Sequence, residues 1–129
     1  NGGTVVSYCF HSVKGYSKIG RYTGNGNADG PFIYTGFKPA WFLFKKTDSA
    51  ERWFISDNKR STVNPIARHL RADVNEAEYT TTTKLDFLSN GVKIRDADTH
   101  MNGNGGAFIY MAFAESPFVS SEGVPTTAR

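Results

Sequence analysis

The chain has 129 residues, 39% of them hydrophobic, 14% aromatic and 21% charged, which suits one domain around one hydrophobic core and excludes a disordered chain. Its formal net charge is +3, and the basic residues are scattered apart from short pairs such as Lys45-Lys46, so there is no basic stripe of the kind that grips nucleic acid. A single cysteine excludes an intrachain disulfide, no apolar run is long enough to insert in a bilayer as a helix, and no signal peptide is read.

Short apolar and aromatic runs between clusters of Gly, Asn, Asp and Ser predict strands. In chain order they cover Thr4–Phe10, Tyr16–Thr23, Pro31–Thr35, Trp41–Thr47, Arg52–Ser56, Lys84–Leu88, Val92–Arg95 and Ala107–Ala114. Within the first, Cys9 reads as a small buried residue. Trp41-Phe42-Leu43-Phe44 and Phe108–Phe113 are apolar at almost every position, as in central strands covered on both faces. Trp41, Phe32, Phe42, Phe44, Phe87, Phe108 and Phe113 are therefore assigned to the core.

Pro65–Glu78 is the least strand-like stretch and reads as a long loop or one short helix. Thr80-Thr81-Thr82-Thr83 suits an edge or an exposed connection. Asn90-Gly91 predicts a hairpin with a type I′ turn, which needs positive φ at both central residues. It would pair Asp86-Phe87-Leu88 with Val92-Lys93-Ile94. The expected fold is all-β, a two-sheet antiparallel β-sandwich over residues 1–118, with 119–129 as a polar linker or tail. The polar character of both ends suggests a longer parent polypeptide.

Gly2-Gly3-Thr4-Val5-Val6-Ser7-Tyr8-Cys9-Phe10 aligns without gaps on Gly105-Gly106-Ala107-Phe108-Ile109-Tyr110-Met111-Ala112-Phe113. Two readings stand open. Both segments obey one packing rule, or both are the same strand of consecutive modules, in which case residues 1–12 are the last strand of an upstream repeat.

Three stretches are distinctive: Gly15–Gly26, Asp29–Trp41 and Phe108–Glu115. Together they resemble a module of unknown function found in bacteriophage tail-fibre and other virion-associated proteins. The likeness runs from about Val5 to Phe118 and is weakest from Ser61 to Thr83. The resemblance implies a jelly-roll or concanavalin-like sandwich, often in tandem, on the surface of a virion made in the host cytoplasm. It implies docking on other virion proteins and a homo-oligomer, with a trimer as the first expectation. It brings no catalytic residues.

The residues themselves lead to a non-catalytic reading. His11, His69 and His100 form no HExxH pattern and no zinc spacing, so neither metal nor cofactor is expected. There is no nucleophile elbow to support a Ser-His-Asp set. Asn25-Gly26-Asn27-Ala28-Asp29-Gly30 is rich in oxygen ligands but lacks the carboxylate density of an EF-hand, so a turn is the better reading. Asp96–Gly106 is a second polar loop, suited to an ion, a partner or a plain connection.

The aromatics carry the binding hypothesis. Trp53, Tyr16, Tyr22, Tyr34 and Tyr79 lie near loops, where flat rings stack on sugars or on partner proteins while Asn25, Asn27 and Asp29 grip hydroxyls. The leading expectation is a structural and interaction module that contributes to host attachment. The alternative is a lectin-like module for host surface glycans, and a polysaccharide depolymerase comes third.

Overall fold

In Pro39–Lys46, Phe42 and Phe44 are buried while Trp41, Leu43 and Lys45, which alternate with them, lie half-buried on the other face. A period of two is the mark of a strand with one face in the core. The same rule runs through the computed structural model, which describes residues 2–117 except the side chains of residues 79 and 81–83. The expected tail at 119–129 lies outside the described residues.

The elements are β1 (Ser17–Thr23), β2 (Phe32–Tyr34), β3 (Pro39–Lys46), β4 (Phe54–Asp57), β5 (Ile66–Arg71), β6 (Tyr79–Leu88), β7 (Gly91–Ile94), α1 (Thr99–Asn102) and β8 (Ala107–Ala114). All eight strands form one sheet in the order β1-β8-β3-β4-β5-β6-β7-β2, and every pairing is antiparallel. The protein is thus all-β with one short helix, and its sheet curls until it nearly closes into a barrel-like shape. The two edge strands, β1 and β2, are joined directly by residues 24–31.

The inner face forms one cluster that includes Phe42, Phe44, Phe54, Leu85, Val92 and Ile94. Met101 of α1 is part of it and fully buried, so the helix plugs one end of the sheet. Asp98 starts that helix, its carboxylate accepting from His100 N–H at 2.7 Å, which satisfies an otherwise free donor.

Phe42, Phe44, Phe87 and Phe108 are buried as expected, but Phe32, Phe113 and Trp41 are not in the core. Phe32 is 45% exposed because Ile33, its neighbour on the three-residue β2, takes the inner face. Phe113 and Trp41 face each other across β8 and β3 on the outer side, rings 5.6 Å apart. Both are half-buried.

Pro65–Glu78 is not a loop or helix throughout: Ile66–Arg71 is a strand inside the sheet, between β4 and β6. The threonine tract likewise belongs to the interior strand β6 rather than to an edge. β6 and β7 pair as the expected hairpin but in another register, Asp86↔Lys93, Phe87↔Val92 and Leu88↔Gly91, where a turn at Asn90-Gly91 would set Leu88 against Lys93. The turn is therefore Ser89-Asn90, and among the described residues none other than glycine has a positive φ, so no type I′ turn forms. Gly91 is needed for a different reason. A Cβ there would lie 2.3 Å from Ile33 O, so only glycine lets β2 approach β7.

Residues 4–10 form no strand here and are exposed, Cys9 included. The nearest edge is already occupied. Ser12 Oγ accepts from Ile19 N–H at 3.0 Å and donates to Ile19 O at 3.5 Å, and Val13 bridges Ser17.

Candidate binding surface

The loop between β1 and β2 is a ladder of side-chain turns. Asn27 N–H donates to Asn25 Oδ1 at 3.0 Å and Asp29 N–H donates to Asn27 Oδ1 at 2.8 Å, each an Asx turn. Asn25 Nδ2 closes the loop on Asp29 O at 3.0 Å. The ladder hangs on Asn102, which is fully buried. Its Nδ2 reaches Asn25 Oδ1, Asn27 O and Asp96 O at 2.9, 2.7 and 2.8 Å. Its Oδ1 accepts from Asn25 N–H at 2.8 Å. Asn25 therefore spends both atoms of its amide within the fold, and Asn27 its Oδ1, rather than presenting them to a ligand.

Asp29 stays exposed and pairs with Lys93 at 2.7 Å. That hydrogen bond and the lysine charge hold its carboxyl below the ordinary carboxylate value. Tyr22 is also structural. Its ring stacks on Phe108 with centroids 4.7 Å apart, its hydroxyl donates to Met101 O at 2.8 Å, and burial pushes the phenol far above its ordinary range.

The other three expected residues face solvent or a groove. Tyr34 is 64% exposed on the edge strand β2. It lines a groove of about 370 Å³ with Ser12 and Lys14 ahead of β1 and with Ser17 and Lys18 at its start. Tyr16, beside that groove in the chain, is exposed and packs one edge against Phe113 at 5.8 Å. Trp53 lines a second groove of about 350 Å³ on the outer face, with Ile19, Leu43, Ile109 and Met111. Lys45 Nζ sits 5.8 Å from the Trp53 ring centroid, a cation–π contact. The structure thus separates the expected site into a polar loop, an edge groove and an outer groove. The Tyr79 side chain lies outside those described.

A third groove, of about 640 Å³, brings Trp41 together with Asp57, Asn58, Lys59, Arg60 and Glu78. Arg60 pairs with both Asp57 and Glu78. Asn58 Nδ2 donates to Glu115 Oε1 at 2.7 Å, while its Oδ1 is buried without a hydrogen-bond partner. An aromatic ring flanked by amide, carboxylate and guanidinium groups is chemistry that suits sugars. Sequence reasoning put Trp41 in the core because its strand is apolar on both faces and gives no sign of which faces outward.

The histidines make pairs without an open site. His69 Nδ1 and Ser56 Oγ are 2.8 Å apart, but both residues are fully buried on neighbouring strands, where the hydroxyl cannot reach a substrate. His100 Nδ1 lies 2.5 Å from Glu51 Oε2 at the surface. Among the described residues no three His, Cys, Asp or Glu side chains converge, and no helix is long and apolar enough to cross a membrane.

No curated protein and no solved structure matches the chain. A family model does, over residues 1–117, which takes in every strand as well as the exposed segment ahead of β1. The chain belongs to the family described as DUF7483, a domain of unknown function.

Proposed function

We propose that this domain is a structural and interaction module, of the kind carried on the surface of bacteriophage particles in a tail fibre, spike or capsid-surface protein. It works by docking on neighbouring subunits, a trimer of its own kind first among them, and serves host attachment rather than catalysis. The observation that carries this reading is the set of exposed aromatics at the sheet edges: Tyr16, Phe32 and Tyr34. Large exposed rings are the side chains that anchor protein interfaces. In this reading β1, β8, β3 and β4 face β6, β7 and β2 across the core as the two layers of a jelly-roll or concanavalin-like sandwich do.

The test is the solution mass of the chain by light scattering over a wide concentration range. A trimer that falls to monomer in the Tyr16→Ser/Tyr34→Ser double variant, with an unchanged circular dichroism spectrum, supports the reading. A chain that is monomeric throughout counts against it.

The Trp41 groove favours a second reading, recognition of host glycans. A glycan array probed with the chain and with Trp41→Ala and Trp53→Ala separates the candidates. Loss of binding only on Trp41→Ala assigns the sugar to the groove beside Asn58 and Glu78. Sugar release from a host polysaccharide would overturn the non-catalytic part of both readings.

A further inference from the structure

The lead-in to β8 is shaped by close packing. Gly105 has φ +70°, and a Cβ on Gly106 would lie 3.0 Å from Gly103 O and from Lys46 Cε. Glycine is therefore favoured at both positions, by the positive φ of Gly105 and by the close approach of the Gly103 carbonyl to Gly106. Further along the strand, at Ala112, the requirement is for small size. Ala112 is fully buried between Lys18 of β1 and Phe42 of β3.

The segment ahead of β1 carries the same code without the same need. It reads Asn1-Gly2-Gly3, then Thr4 to Phe10, with Cys9 at the position of Ala112. A Cβ on Gly2 or Gly3 would meet nothing within 4 Å. Val5 is 87% exposed and Tyr8 82%, and Cys9 is exposed. Here the glycine pair and the apolar run up to Cys9 lie exposed, and Phe10 is 58% exposed with its ring edge-on to Phe113 at 6.3 Å. The segment matches a seat that this chain fills with β8.

We propose that Gly2–Phe10 is the closing strand of a second copy of this fold, seated there between β1 and β3 as Ala107–Phe113 is seated here. Val5, Ser7 and Cys9 then face that copy's core, and Val6, Tyr8 and Phe10 face outward. One position specifies the recipient. Ser7 falls where Tyr110 stacks on Phe42 at 5.6 Å, and Tyr110 lies over Gly20, where a Cβ would come within 2.9 Å of its ring. A recipient suited to Ser7 carries a side chain in place of Gly20. The segment thus selects a related copy over an identical one. This inference is independent of any virion role.

The test joins residues 13–103 ahead of the intact chain, so that residues 1–10 follow residue 103 as residues 104–113 do in the native order. Amide hydrogen exchange of residues 4–10 is then compared with the single chain. Protection is expected to rise by about 100-fold or more, as for strands that open only with a cooperative unit. Gly20→Val in the upstream copy should raise it further. The same substitution should lower protection in a control whose upstream copy ends in residues 104–113 before the intact chain begins.

Single-chain exchange rates at residues 4–10, in a tandem whose control is protected, overturn the proposal. If neither upstream copy folds, grafting the Thr4–Phe10 sequence onto positions 107–113 of the Gly20→Val chain reads the same compatibility. A cooperative unfolding transition there supports the proposal, and its absence overturns it.

Discussion

Asn102 Nδ2 lies 2.9 Å from Asn25 Oδ1 across 77 residues of sequence, and this contact joins the end of the core-plugging helix to the loop that connects the two sheet edges. The amide does what a carboxylate cannot, donating to the loop and accepting from it at once, and it has two donor hydrogens where a hydroxyl has one. Asn102→Ala leaves the Asn25 N–H and several carbonyls without their partner. Each buried group left so costs about 1–3 kcal/mol, and partial access of water to this loop places the total near the upper part of that range. Urea denaturation should show the loss. Asn102→Asp should be worse than its size suggests, since the carboxylate loses both donors and faces the carbonyl oxygens of Asn27 and Asp96. An Asn102→Asp variant as stable as the parent would refute the role.

Phe42 and Phe32 test which face is the core. Phe42 is fully buried, with its ring 5.6 Å from those of Phe44 and Tyr110, so Phe42→Ala should cost about 3–5 kcal/mol. Phe32→Ala removes a ring on the solvent side of an edge strand and should change stability by about 0.5 kcal/mol or less. Thermal or chemical unfolding of the two variants side by side reads the contrast. Equal losses would place Phe32 inside.

The strands that the sequence made legible are those whose period of two is marked by large side chains and bounded by turn residues, as in Trp41–Thr47 and Ala107–Ala114. Which face is inner was not legible there, because Trp41, Leu43 and Phe113 are as apolar as Phe42, Phe44 and Phe108. Only the register of β8 between β1 and β3 decides it. β5 went unread because Ile-Ala-Arg-His-Leu-Arg has a polar residue at an inner position. His69 is tolerated there because Ser56, its partner in register on β4, meets its ring nitrogen. A bulge between Ile66 and Arg68 also breaks the alternation. Asn102 has no local signature, since most of the groups it binds lie 75 to 77 residues away.

Asp29 makes the acid limb of the stability curve testable. Its hydrogen bond and ion pair with Lys93 hold the folded carboxyl below its ordinary value of 3.8. A depressed folded value means that the contribution is present above 3.8 and is lost as pH falls through the lower folded value. Carboxyl carbon shifts followed by NMR should place the Asp29 midpoint below 3.8, and Lys93→Met should move it upward. High salt should do the same in part, since the group is solvent-exposed and screened. An Asp29 midpoint unmoved by Lys93→Met would remove the pair from the account.

Tyr22 governs the alkaline limb, with the opposite sign. Burial raises its phenol above the ordinary 10.0, and Tyr110 is raised by the same cause. A raised folded value means that the neutral form is favoured in the fold. Its contribution is complete below 10.0 and drains away above it, as the unfolded chain gains the freedom to ionise. Phenolate absorbance should therefore rise in two stages, the later one coinciding with loss of the folded circular dichroism signal. Tyr22→Phe keeps the ring on Phe108 but removes the donor to Met101 O. It should cost about 1 kcal/mol at neutral pH while making unfolding less steep above 10.0. Ionisation of all tyrosines in one stage near 10.0, with the fold intact, would show that the Tyr22 hydroxyl reaches solvent.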